Sequence, residues 1–112
     1  MEKHLLVSLS NPVQGREDDY NDWFDKHHLP ELLDIPGFVA GQRFTLSEAQ
    51  RAPAPYPFKY MAIYEIETDD IAKTIGEIGA WQKDMTKTDT SDLARRALLV
   101  VRPLGPRIEK AR

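Results

Sequence analysis

The sequence has no cysteine. That single absence removes disulfides, thiolate nucleophiles and cysteine-ligated metals together, and it points to a reducing cytoplasm as the home of the chain. Long apolar runs are missing as well. The stretch Leu5-Leu6-Val7-Ser8-Leu9 ends at Ser10. It is too short for a secretory signal and far below the roughly 20 apolar residues that span a bilayer, so no membrane role is expected. Nor is there an excess of positive charge: 15 Lys and Arg stand against 18 Asp and Glu, for a net charge of -3. The basic residues are scattered, apart from Arg95-Arg96 and the tail Arg107, Lys110 and Arg112. A nucleic-acid partner needs a cationic stripe and is not expected. A Gly-rich phosphate loop, a Gly-x-Ser-x-Gly elbow and a His-Glu-x-x-His pair are all absent, which argues against nucleotide cofactors and the familiar hydrolases.

What is present is enough for one core. At 112 residues the chain has the usual size of a single domain, taken as 1–112. Residues 3–10 alternate with period two, with Leu5, Val7 and Leu9 on one face and His4, Leu6, Ser8 and Ser10 on the other. This predicts a first strand, stopped by Asn11-Pro12. From Arg16 the pattern turns helical. Glu17, Asp18 and Asp19 suit the positive end of a helix dipole, and Tyr20, Trp23, Phe24 and His27 recur at spacings of three and four. Pro30 is expected to kink this helix, and Pro36-Gly37 to end it.

Residues 38–46 predict a second strand and 58–67, rich in aromatic and β-branched residues, a third. The proline-rich loop between them is long enough to act as a flap. Thr68-Asp69-Asp70 opens a second helix along Ile71, Ile75 and Ile78, with Trp81 and Met85 continuing its buried side. Residues 95–102 predict a last strand. The order β-α-β-β-α-β is the ferredoxin-like α+β arrangement, a four-stranded antiparallel sheet with both helices on one face.

An antiparallel sheet covered on one side should be polar on the other. Here Leu98 and Val100 stand opposite Ala97, Leu99 and Val101, and Tyr60, Ala62, Tyr64 and Ile66 stand opposite Met61 and Ile63. Both faces are apolar, and a second copy of the chain packed on the uncovered face removes that apolar surface from water. The expected assembly is therefore a homodimer through the sheet.

The segment Tyr20-Asn21-Asp22-Trp23-Phe24-Asp25-Lys26-His27-His28-Leu29-Pro30, followed by Ile35-Pro36-Gly37-Phe38, resembles the EthD-type branch of the dimeric α+β barrel superfamily. An aromatic pair, a His-x-Pro near the end of the first helix and a Pro-Gly leading into strand two carry the likeness. It falls on Trp23, Phe24, His28, Pro30, Pro36 and Gly37. The resemblance implies a pocket between the helices and the sheet of one subunit, and chemistry that in many members needs neither metal nor organic cofactor. Lys3-His4-Leu5-Leu6-Val7 is also similar to the first strand of plant polyketide cyclases, in which the strand histidine lines the pocket.

Histidine is the natural acid-base group near neutral pH. His28 matches the family motif, whereas a strict helical wheel turns His27 closer to the Tyr20–Phe24 face; the proline leaves that order open. Their separation of about 100° on a helix turns the pair away from a shared metal, and no metal or cofactor is expected. Tyr60 and Tyr64 share a strand face, and either phenol could donate to an oxyanion. The reading assigns His28 and Tyr64 to catalysis. His4, Ser8, Trp23, Phe24, His27 and Tyr60 are assigned to a pocket for a small apolar or aromatic ligand. Trp23, Phe24, Phe44 and Trp81 double as core candidates, and Arg43 is expected to bind a carboxylate or to pair with Glu65. The function expected is cofactor-independent proton transfer of the cyclase, isomerase, lyase or monooxygenase type. The rival is a binding or accessory protein on the same scaffold, and haem binding a third reading.

Overall fold

A computed structural model describes residues 1–111. The strands are β1 (Glu2–Ser10), β2 (Phe38–Thr45), β3 (Tyr60–Thr68) and β4 (Ala97–Val101). They form one antiparallel sheet in the order β2-β3-β1-β4. Between β1 and β2 lie α1 (Glu17–Trp23), a π-helical turn (Phe24–His28) and α2 (Leu29–Leu32); α3 (Ile71–Gln82) joins β3 to β4.

The register fixes which side chains share a face. Opposite His4, Leu6, Ser8 and Ser10 stand Ile66, Tyr64, Ala62 and Tyr60, and across the other edge of β1 Leu6 meets Val100 and Ser8 meets Leu98. This is the helix side. Its core is Leu6, Tyr20, Phe24, Leu32, Ile35, Phe38, Ala62, Tyr64 and Ile66. Gly41 on β2 lets the Tyr64 ring lie against the strand, because a Cβ there would sit 3.1 Å from the ring. On the other side Leu5, Val7 and Leu9 align with Val101, Leu99 and Ala97, and with Glu65, Ile63 and Met61. Among the described residues no helix packs on this side, and Leu99 remains 51% exposed.

The helical block departs from expectation in an informative way. The irregularity comes before Pro30, as the π turn, and the chain then continues helically through the proline into α2. Proline has no N–H to offer the carbonyl four residues back. A turn with i→i+5 bonds absorbs that mismatch and moves the side chains that follow it around the axis. At α3 the start is as predicted: the Asp70 side chain accepts from the Lys73 amide at 3.1 Å. Phe44 and Trp81 are not core; each is 41% exposed. Arg43 does not pair with Glu65, which lies on the opposite face of the sheet. Its guanidinium donates instead to Asp25 Oδ1 and Asn21 Oδ1, both at 2.9 Å, and stands 4.4 Å over the Phe24 ring. Among the described residues, no helix is long and apolar enough to cross a membrane.

Candidate functional site

Between α3, the π turn and the β1–β4 half of the sheet lies a cavity of about 560 Å³, within the roughly 300–1,000 Å³ typical of small-molecule sites. Leu6, Ser8 and Ser10 line it from β1, Tyr64 from β3, Leu98 and Val100 from β4, and Trp23, Phe24, His28 and Leu32 from the helical block; Ile75, Ile78, Gly79 and Gln82 close it from α3. The segment after α3 adds Met85, Thr86, Lys87, Thr88, Ser91, Leu93 and Arg96.

His28 is on this wall because of the π turn. With i→i+5 geometry, residue 28 sits over residue 23, and the His28 imidazole stacks on Trp23 at 4.4 Å with 22° between the planes. The edge of Phe24 closes the other contact at 4.9 Å and 83°. An α-helix would carry His27 toward that position. Instead His27 is half-exposed, 3.7 Å from Glu31 Oε2, on the wall of an adjoining open groove that shares Trp23, Thr86, Lys87 and Thr88 with the cavity. Burial pushes the His28 pKa from its ordinary 6.5 down to about 4, an effect opposed by nearby Glu31 and reinforced by the Arg43 cation. The ring is therefore neutral near pH 7. No hydrogen bond to another described residue contributes to its state, so its polar atoms are not tied up in capping a backbone carbonyl.

Tyr64 presents the second unpaired group. It is 1% exposed, and its hydroxyl has no hydrogen-bond partner. Burial raises its pKa well above the ordinary phenol value, so the hydroxyl keeps its proton and is a donor without an acceptor. A buried polar group in that condition costs stability. Ser10 and Tyr20 show the usual alternative, since their hydroxyls bond to each other.

Six of the eight side chains singled out from the sequence are placed as follows. Ser8, Trp23, Phe24, His28 and Tyr64 come together on the cavity wall. Tyr60 does not: its hydroxyl donates to Glu17 Oε2 and accepts from Asn21 Nδ2 at 3.3 Å, and Arg43 lies over its ring, forming a polar cluster beside α1. The remaining two, His27 and His4, also lie off the wall. His4 is buried with Nδ1 unpartnered and Nε2 3.9 Å from Glu2, on the β1 residue opposite Ile66. The loop at 46–59 contributes no lining residue, so it is not a flap over this cavity. Sequence reasoning missed Arg96 and Lys87. The signal for Arg96 was its parity with Leu98 and Val100. Among the described residues no group of three or more His, Asp or Glu side chains gathers as a metal site.

No family model matches the sequence, and no curated protein matches it either. Solved structures do. An EthD-family protein of Bacillus halodurans superposes with a TM-score of 0.61 at 13% identity, over 93% of this chain and 100% of that one. The chain has a ferredoxin-like α+β fold. That ferredoxin-like fold is shared with MhuD, a heme-degrader of Mycobacterium tuberculosis solved with two hemes in its active site (TM-score 0.62, 13% identity, 92% of this chain and 97% of that one). It is shared too with SnoaB, a cofactor-independent oxygenase of Streptomyces nogalater (TM-score 0.51, 13% identity, 96% and 100%).

Proposed function

We propose that the chain is a single-domain cytoplasmic enzyme that moves a proton on a small aromatic or polyketide-like molecule without a cofactor, with His28 as base and Tyr64 as oxyanion donor. The observation that carries this reading is the pairing, on one apolar cavity wall, of a neutral imidazole and a buried hydroxyl that nothing in the protein satisfies. Perturbed groups in a cleft are the usual mark of a reacting site. The cofactor-independent oxygenase among the structural neighbours supports the same class, although a shared fold does not fix the reaction.

Magnitudes decide the roles. A resting pKa of about 4 makes His28 a weak base. Taking a proton from an acid of pKa about 10 would cost about 8 kcal/mol if the two ions were kept apart. The transfer becomes workable only when the new anion stays beside the imidazolium and receives a preorganised hydrogen bond, which is the part given to Tyr64. Trp23 and Phe24 hold the imidazole in plane and provide a flat apolar wall for a ring. The active form is a homodimer in which the uncovered sheet faces of two copies meet, so that Leu5, Val7, Leu9, Ile63 and Leu99 leave water.

Deuterium exchange at the activated carbon of β-tetralone, an enolisable aryl ketone, tests proton abstraction without knowledge of the natural substrate. The protein should accelerate exchange in D2O over buffer, and His28→Phe should abolish the acceleration. Binding of the ketone with no acceleration would instead identify a binding protein on this scaffold. The heme-containing neighbour makes a haem titration, followed by absorbance, the companion experiment.

A further inference from the structure

The cavity wall carries charge of one sign. Lys87 and Arg96 line it and no carboxylate does, in a chain whose acidic residues outnumber its basic ones by 18 to 15. Arg96 immediately precedes β4, two positions before Leu98, and lines the cavity together with Leu98 and Val100. Arg16, Arg43 and Arg107 each pair with a carboxylate, whereas Arg96 pairs with none among the described residues. Lys87 Nζ donates to the Gln82 carbonyl at 2.6 Å and keeps two further N–H donors. The acidic groups beside this rim are engaged elsewhere: Glu31 accepts from the Thr86 amide at 2.7 Å and the Thr86 hydroxyl at 2.8 Å, Asp89 pairs with Arg16 at 3.1 Å, and Asp92 accepts from the Ala94 amide at 3.1 Å.

Burial gives the cavity a direction. Leu6, Phe24, Leu32 and Tyr64 are buried and form its base, while Lys87 and Arg96 are exposed and stand at its mouth. We propose that the ligand is an amphipathic organic anion: a ring-bearing apolar body lies against Trp23 and Phe24, and a carboxylate or similar acid group is held at the mouth by Arg96 and Lys87. An Arg fork suits a planar oxyanion, and charge-assisted hydrogen bonds at a partly shielded rim strengthen binding and steer association. The inference rests on the cavity being a small-molecule site, as the proposed function requires.

Two dyes with one ring system separate the claims. 8-Anilinonaphthalene-1-sulfonate and N-phenyl-1-naphthylamine differ by the sulfonate alone, and both report binding by fluorescence. At low salt the wild-type protein should bind the sulfonate about tenfold more tightly. Arg96→Gln should remove most of that preference and leave the neutral dye unaffected. Gly79→Leu should weaken both dyes, because Gly79 lines the cavity and a Cβ there meets no atom within 4 Å. Melting temperatures would verify that both variants fold. Equal affinities in the wild type, or a preference that survives Arg96→Gln, would overturn the anion site and leave the cavity reading intact. If neither dye binds, or if Gly79→Leu changes nothing, the small-molecule site itself falls and the inference with it.

Discussion

Acidification should destabilise this protein through His28 well before its carboxylates titrate. The folded state holds the imidazole at a pKa of about 4, against 6.5 for an unhindered histidine. Between those values the unfolded chain takes up a proton that the folded chain refuses, so stability falls as pH falls. The contribution is complete above pH 6.5 and is lost progressively down to about pH 4. Between pH 7 and 5 the loss is about 2 kcal/mol, which for a chain of this size lowers the melting temperature by about 8 °C. Glu17 and Glu31 also have lowered pKa values, caused first by hydrogen bonds from Lys59 and from the Thr86 amide. Their stabilisation is lost only below their ordinary 4.5, outside this window. His28→Phe keeps a ring against Trp23 and cannot be protonated. Urea midpoints at pH 7 and pH 5 should therefore drop in the wild type and stay nearly level in the variant. Equal drops in both would mean that the imidazole is hydrated, and the account of the cavity wall would be wrong.

Tyr64→Phe removes a hydroxyl that has no partner. It should leave the melting temperature unchanged or raise it, by up to about 1 kcal/mol of stability, while β-tetralone exchange drops about 100-fold; a large loss of stability would reveal a missed hydrogen bond. Arg43→Met removes two hydrogen bonds and the cation above Phe24, and should cost about 2 kcal/mol in a urea titration. Leu99→Lys places a charge on the uncovered sheet face opposite Val7. Sedimentation should then find monomers where the wild type sediments as dimers, and a monomeric wild type would remove the dimer from the proposal.

The fold was legible because local signals and topology agreed. Period-two alternation in β1 and the Asp70 cap of α3 are short-range features, and each appears where the pattern put it, whereas the first helical block ends at Leu32, ahead of the expected Pro36-Gly37 stop. The site was less legible, for a geometric reason. A helical wheel assumes 100° per residue, and five residues of π-helix break that assumption where the two histidines lie. The wheel favoured His27, while the motif resemblance favoured His28 without explaining it. His4 and Tyr60 share a sheet face with Ser8 and Tyr64, yet face alone does not say how far along a strand the cavity reaches. On β1 it runs from Leu6 to Ser10 and so stops short of His4, while Tyr60, opposite Ser10, is engaged with Glu17 and Asn21 beside α1. Arg43 was expected to bind a carboxylate or pair with Glu65, and its actual partners, Asn21 and Asp25, went unread because they come from a helical segment packed across the sheet at a sequence distance no pattern links.

Strand β4 joins the two halves of the proposal. It is an edge strand, bonded only to β1, and it is apolar throughout. Toward the cavity Leu98 is 58% and Val100 43% exposed; on the uncovered face Leu99 is 51% and Val101 40% exposed. A strand this apolar with neither side covered is an aggregation hazard unless something else shields it. The two exposures call for different covers. Leu98 and Val100 border a cavity that has a chemically distinct base and a cationic mouth, which suits a small molecule. Leu99 and Val101 continue the row of Leu5, Val7 and Ile63, the face that the proposed dimer would cover with a second copy. Because successive β4 side chains serve opposite faces, a substitution at 99 or 101 should alter association without entering the cavity, and one at 98 or 100 should alter ligand binding without weakening the dimer.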